Sequence, residues 1–156
     1  MNGVVRVVAG YTGGVQPNPC RADLKDHTEA LMIEYMPRVV SYREILEMWH
    51  DNDYPWEPEK LEHRSAIFVL SLEQQEQALA YLHHIASTRP NCPLYVDLEP
   101  AKIFYQAEDS QQNYIAKQYK AAKDKMWVNC LELQNLEVTR CTQKFLFNNR
   151  WQDCMG

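Results

Sequence analysis

Long apolar runs are missing from this 156-residue chain. Nothing in it approaches the roughly 20 residues needed to cross a bilayer, and Met1-Asn2-Gly3 leads straight into strand-like sequence, so neither a membrane partner nor a signal peptide is expected. A basic block is missing as well. Sixteen Lys and Arg against 21 Asp and Glu leave a net charge of −5 spread along the chain, which argues against nucleic acid as a partner. The five cysteines (Cys20, Cys92, Cys130, Cys141 and Cys154) include no C-x-x-C pair, and there is no N-x-[ST] sequon. Scattered thiols in odd number suit a reducing compartment, so a cytoplasmic protein with free thiols is expected. Glycine is scarce: Gly3, Gly10, Gly13 and Gly14 crowd the start and none follows until Gly156. Special backbone conformations are therefore concentrated in one turn.

What remains is the composition of an ordinary globular protein, 46% hydrophobic and 24% charged, far from the disordered corner. The length fits one domain over residues 1–156 with one core. No repeat, linker or low-complexity tract divides it.

"GVVRVVAGY" is apolar and β-branched and is stopped by the glycines of "YTGG" and by "PNP", which predicts a strand and a long turn. "TEALMIEY" alternates, with Leu31, Ile33 and Tyr35 on one face and Ala30, Met32 and Glu34 on the other, as a second strand does. "SYREILEMWHDN" opens with Ser41 and Glu44 as a capping box, and Tyr42, Ile45, Leu46 and Trp49 make a helical stripe. The prolines and charges of "DNDYPWEPEKLE" predict an exposed loop, followed by the strand "RSAIFVLS". Ser71 with Gln74 caps a second helix, "LEQQEQALAYLHHIAST", with an inner stripe of Ala78, Leu79, Leu82, Ile85 and Ala86. "PLYVDLEP" predicts a fourth strand and residues 107–125 a third helix, acidic at its start and lysine-rich toward its end. Beyond Met126 the pattern is ambiguous between helix and strand. This order predicts an α+β fold, helices layered on a mixed β-sheet.

Among chemistry-bearing residues, none of the five histidines stands at metal-ligand spacing, so no metal is expected. Cys20, just after the "PNP" turn and shortly before His27 and Glu29, is the thiol most suggestive of a Cys–His arrangement, although a small residue in a loop is the commoner explanation. Glu29 stands at the entrance of the second strand. By periodicity alone an acid there is a solvated charge.

Taken together, "GYTGGVQPNP", "KDHTEALMIEYMPRVVSYREILEMWHDND", "HRSAIF" and "LEPAKIFYQAEDSQQNYIAKQ" resemble the peptide methionine sulfoxide reductase A family over about residues 4 to 118. The resemblance implies that family's ferredoxin-like α+β core and a repair reaction on oxidised proteins or peptides, the reduction of the S epimer of methionine sulfoxide. A cysteine thiolate attacks the sulfoxide sulfur, acid and phenol groups protonate the departing oxygen, and a second thiol and then thioredoxin resolve the sulfenic acid. No bound cofactor is implied, only an external thiol reductant. The family's H-[AT]-E acid falls on Glu29. One family phenol is replaced by Cys20 and Arg21 after "PNP", the other by His63 in "EHRS". The resemblance thus implies catalytic groups at Glu29, His63 and Cys20, and pocket walls at Tyr11, His27 and Arg21. The family's G-C-F-W nucleophile segment, with the first strand and helix, is not among these residues, nor is its glycine-rich tail with recycling cysteines, although Cys154 lies at the corresponding end. Three outcomes are therefore expected: a genuine reductase whose N-terminal part is not among these residues and which is inactive as it stands, a non-catalytic module binding methionine-containing peptides or a partner protein, or a divergent enzyme using Cys20 or another thiol.

Overall fold

A computed structural model of the chain describes residues 2–114 and residue 117. Two strands lead, β1 (Val4–Thr12) and β2 (Thr28–Tyr35), followed by helix α1 (Tyr42–Asn52), strand β3 (Ala66–Val69), helix α2 (Leu72–Thr88), and the short strands β4 (Asp97–Pro100) and β5 (Tyr105–Gln106). The class is α+β, and the strand directions are mixed. The mixture is divided between two hydrogen-bonded sheets: an antiparallel one in the order β2-β1-β5, and a parallel pair, β3 with β4. The parallel pair needs a crossover, and α2 supplies it.

Most of the core lies between the helices and the parallel pair. Leu46 and Trp49 of α1 meet Ala78, Tyr81, Leu82 and Ile85 of α2 over Ile67 and Val69 of β3. The capping box of α1 is present: Glu44 N donates to Ser41 Oγ at 3.2 Å and Ser41 N to Glu44 Oε2 at 2.7 Å. At α2, Gln74 N donates to Ser71 Oγ at 3.1 Å, but the Gln74 side chain takes the N–H of Leu70 instead of closing the box on Ser71.

Several predicted elements are corrected. Leu79 is exposed, and Tyr81 takes the inward position expected of it, because the buried stripe 78-81-82-85 follows the helical period more closely than one through 79. The fourth strand begins at Asp97 and not at Pro93, since the Tyr95 N–H is taken by the Pro55 carbonyl at 2.8 Å. The loop after α1 is only partly exposed: Pro55 is buried, and Trp56 lies under the Arg89 guanidinium at 4.8 Å. Residues 109–113 form turns and Tyr114 and Lys117 are helical; the other residues of the predicted third helix beyond 114, and everything from residue 126 on, lie outside the described residues.

Gly10 is used in a way the turn-based reading did not foresee. A Cβ there would overlap the Phe104 ring and the Tyr105 carbonyl oxygen, so a bare backbone is what lets β5 come alongside β1. Gly13 does serve the turn, with φ at +88°.

Candidate functional site

The site is built by strand register. Tyr11 of β1 stands directly opposite Glu29 of β2 on one side and Tyr105 of β5 on the other. Directly opposed residues share a face, so Glu29, Tyr11 and Tyr105 form one row across the antiparallel sheet. Thr12 and Thr28, one step along, point to the opposite face and are buried.

Those threonines fasten the row to the rest of the molecule. Thr12 Oγ1 donates to the Ile103 carbonyl at 3.1 Å, and Thr28 Oγ1 donates to the Leu61 carbonyl at 2.9 Å while accepting from Arg64 Nε at 2.9 Å. Glu29 N donates to the Glu62 carbonyl at 3.0 Å. Residues 61–64 are thereby laid beside the entrance of β2, and His63 reaches the acid: its Nδ1 lies 3.3 Å from Glu29 Oε2. The Glu29 side chain is 20% exposed and the His63 side chain 47%, so the pair sits at a half-open surface, the acid inward and the imidazole outward.

Tyr11 is 3% exposed and donates its hydroxyl to Glu108 Oε2 at 2.8 Å. Burial, then the hydrogen bond and charge of Glu108, then the nearby Glu29 and Cys20 push its phenol well above the ordinary range, so Tyr11 is a neutral donor committed to Glu108. The other Glu108 oxygen accepts the Arg21 backbone N–H at 3.0 Å, and these contacts, that of Arg21 first, hold its carboxyl below the usual range. Cys20 is an exposed free thiol in a turn closed by Asp23 N to Cys20 O at 2.9 Å and Cys20 N to Asp23 O at 3.1 Å.

His27 packs against the row. It is 1% exposed, edge-on to the Tyr105 ring at a centroid distance of 5.4 Å, with Nδ1 3.2 Å from Asp26 Oδ1. That approach lacks hydrogen-bond geometry, and neither ring nitrogen has a hydrogen-bond partner among the described residues. The bare backbone of Gly14 makes the room: a Cβ there would overlap Asp26 Oδ1 and stand 2.5 Å from His27 Nδ1. Asp26 itself accepts from Val15 N at 2.8 Å and Gln16 N at 3.1 Å, tying the glycine turn to the strand entrance.

The structure thus brings together Glu29, His63, Tyr11, the Cys20–Arg21 turn and, unforeseen, Glu108 and Tyr105. The signal for Glu108 was in the sequence, as the acid of "QAEDS", but it pointed to a helix N-terminus and not to a tyrosine some hundred positions away in the chain. Among the described residues no cluster of three or more His, Cys, Asp or Glu is arranged to hold a metal ion, and no helix is long and apolar enough to cross a membrane. Chemically, a carboxyl and an imidazole in contact are two proton-carrying groups at a half-open surface, next to a phenol.

Comparison with known proteins is consistent across sequence and structure. The family profile described as peptide methionine sulfoxide reductase matches residues 1–143. Peptide methionine sulfoxide reductase MsrA of Cronobacter sakazakii is 34% identical over 129 residues, covering 74% of this chain and 61% of that protein. Peptide methionine sulfoxide reductase A5 of Arabidopsis thaliana is 32% identical over 125 residues, covering 76% of this chain and 49% of that one. The chain therefore spans 61% of the one relative's length and 49% of the other's. In structure it is similar to methionine sulfoxide reductase A of Corynebacterium diphtheriae, with a TM-score of 0.64 at 24% identity over 75% of this chain and 65% of that chain. It is also similar to reduced Mxr1 of Saccharomyces cerevisiae, with a TM-score of 0.68 at 21% identity over 76% and 74%. At those identities the structural likeness establishes the fold.

Proposed function

The chain belongs to the peptide methionine sulfoxide reductase family, and from that premise we propose that it acts on methionine sulfoxide in proteins and peptides, with Glu29 and His63 delivering the proton to the sulfoxide oxygen. The 3.3 Å contact between His63 Nδ1 and Glu29 Oε2 carries this proposal. A sulfoxide oxygen leaves sulfur poorly as an anion, and a carboxyl–imidazole pair supplies the proton that makes it a good leaving group. The imidazole also restores a donor where "EHRS" departs from the family's tyrosine.

The reaction balances as a two-electron transfer. A thiolate, the sulfoxide and one proton become a sulfenic acid and a thioether. A second thiol converts the sulfenic acid to a disulfide with loss of water, and an external dithiol such as thioredoxin returns it to thiol. The thiol beside the row is Cys20, whose turn is bonded to the same carboxylate as Tyr11. Tyr11, Arg21 and Cys20 border the bound side chain in this proposal, and His27, buried edge-on to Tyr105, supports the row. A cytoplasmic setting suits the free thiols Cys20 and Cys92.

A second reading rests on the exposure of Cys20: the same face holds a methionine sulfoxide or methionine peptide, or a partner protein bearing one, without turnover. One experiment separates the two. The purified chain is assayed with a methyl sulfoxide and dithiothreitol, and a methionine sulfoxide peptide is titrated against it. Turnover abolished in Cys20→Ser and lowered about 100-fold in Glu29→Gln supports the reductase. Binding weakened by Glu29→Gln with no turnover selects the binding module. Neither binding nor turnover rejects both.

A further inference from the structure

The segment that follows β5 is fastened to β1 by one side chain. Gln112 accepts the Ala9 N–H at 2.9 Å and donates to the carbonyls of Ala9 and Ala107, each at 2.8 Å. The amide thereby continues the ladder that Ala107 N starts by donating to Ala9 O at 2.9 Å. Residues 107–112 are held as a strap alongside β1 at Ala9, and the Glu108 carboxylate meets the hydroxyl of Tyr11, two positions along the strand.

Deepening the sulfoxide reading, on which it rests, we propose that Glu108 is a positioning residue that seats the Cys20–Asp23 turn against the Tyr11 hydroxyl, so that Cys20 and Glu29 address the same bound sulfoxide. The carboxylate has two oxygens and two different clients. Oε2 takes the Tyr11 hydroxyl at 2.8 Å and Oε1 takes the Arg21 N–H at 3.0 Å. Because the turn is closed on itself by the reciprocal Cys20–Asp23 bonds, holding the Arg21 amide holds Cys20. Tyr11 stands opposite Glu29 in register, so one carboxylate links the thiol-bearing loop to the row that carries the acid.

The direction of the Tyr11 bond has a chemical consequence. Its hydrogen is given to Glu108, so its oxygen has only lone pairs left to offer. The proton for the sulfoxide oxygen then comes from the Glu29–His63 pair, while Tyr11 orients its neighbours. Glu108 acts through Tyr11 and Arg21 and touches no reacting atom.

The test uses the full chain with Glu108→Gln, Glu108→Ala and, as the variant from the other side of the contact, Tyr11→Phe. Three readouts are taken: hydrogen exchange of the Arg21 amide, NMR titration of the Tyr11 ring, and affinity for a methionine sulfoxide peptide. In Glu108→Ala the Arg21 amide is expected to exchange about tenfold faster and the peptide to bind about tenfold more weakly, the loss of one charge-assisted hydrogen bond. In both Glu108 variants the Tyr11 phenol titrates at lower pH than in the parent. Glu108→Gln keeps an acceptor and so restores part of the Arg21 protection, a rescue that a mere packing role does not produce. An Arg21 amide and a Tyr11 titration that do not move overturn the proposal, as does parental peptide affinity in a variant whose Arg21 amide has come loose. If Arg21 and Tyr11 respond but the parent chain binds no sulfoxide peptide, the sulfoxide reading fails, and the positioning role fails with it.

Discussion

Asp26 and Glu108 pin the two ends of the loop that carries Cys20, each by accepting backbone N–H groups: Val15 and Gln16 at Asp26, Arg21 at Glu108. In both cases hydrogen bonds to the charged form hold the folded-state pKa below its unfolded value. A depressed carboxyl contributes stability that is fully present above the ordinary carboxylate pKa, about 4, and is lost as pH falls through the lower folded value. The loop is therefore expected to loosen in acid before the core does. Amide exchange at Val15, Gln16 and Arg21 rises below about pH 4 while that of α2 does not, and Asp26→Asn removes the acid step at Val15 and Gln16 only. Simultaneous loss of protection in loop and helix contradicts this order. Residue roles were legible unevenly. Glu29 stood out through the H-[AT]-E pattern, because three residue types in a row are a local signal. Its contact with His63 and the use of Glu108 depend on chain segments far apart in sequence, and no local signal reports those.

At the scale of elements, two joints hold the site in place. Arg64 is the first: its guanidinium pairs with Asp97 at 2.7 Å and Glu99 at 2.6 Å on β4, its Nε bonds Thr28 on β2, and it lies over the Phe68 ring at 5.9 Å. One side chain thus couples the parallel pair to the antiparallel sheet next to Glu29. Arg64→Leu keeps the apolar stem and loses these bonds. The expected cost is about 2 kcal/mol, read as a lower urea midpoint at unchanged m-value, with faster exchange at the Glu29 amide. A lower midpoint without any change at Glu29 shows that Arg64 serves stability alone. The second joint is Gly10. Gly10→Ala forces a methyl against the Tyr105 carbonyl and the Phe104 ring, which is expected to cost on the order of 2 kcal/mol and to expose the Ala107 amide that bonds Ala9. Parental protection at Ala107 refutes the joint. Elements with a strong period were legible: β2 from its alternation, α1 and α2 from their caps and stripes. β4 came out shorter than its apolar run because Pro55 competes for the Tyr95 amide.

The whole molecule is stabilised chiefly away from the site, between α1, α2 and β3. Trp49 is fully buried at the centre of that cluster. Trp49→Ala is expected to cost about 3 to 5 kcal/mol, a large part of the stability of an ordinary domain, read as a much lower thermal or urea midpoint. At the opposite extreme of pH, Tyr42 beside this core, its phenol pushed up to about 12 mainly by burial, contributes stability that is intact below the ordinary phenol value near 10 and is lost as pH rises toward 12. What the amino-acid sequence determined by itself was the fold class, the principal strands and helices, and the family, all of which rest on composition, period and contiguous motifs. Only the tertiary structure decided which residues share the face. It set Tyr105 in line with Tyr11 and Glu29, brought His63 to the acid, turned His27 inward, and gave Glu108 two partners across the chain. Side-chain period and caps are short-range properties of the backbone, whereas strand register and loop closure bring together groups from about 20 to about 100 residues apart, and these pairings set distances at the site.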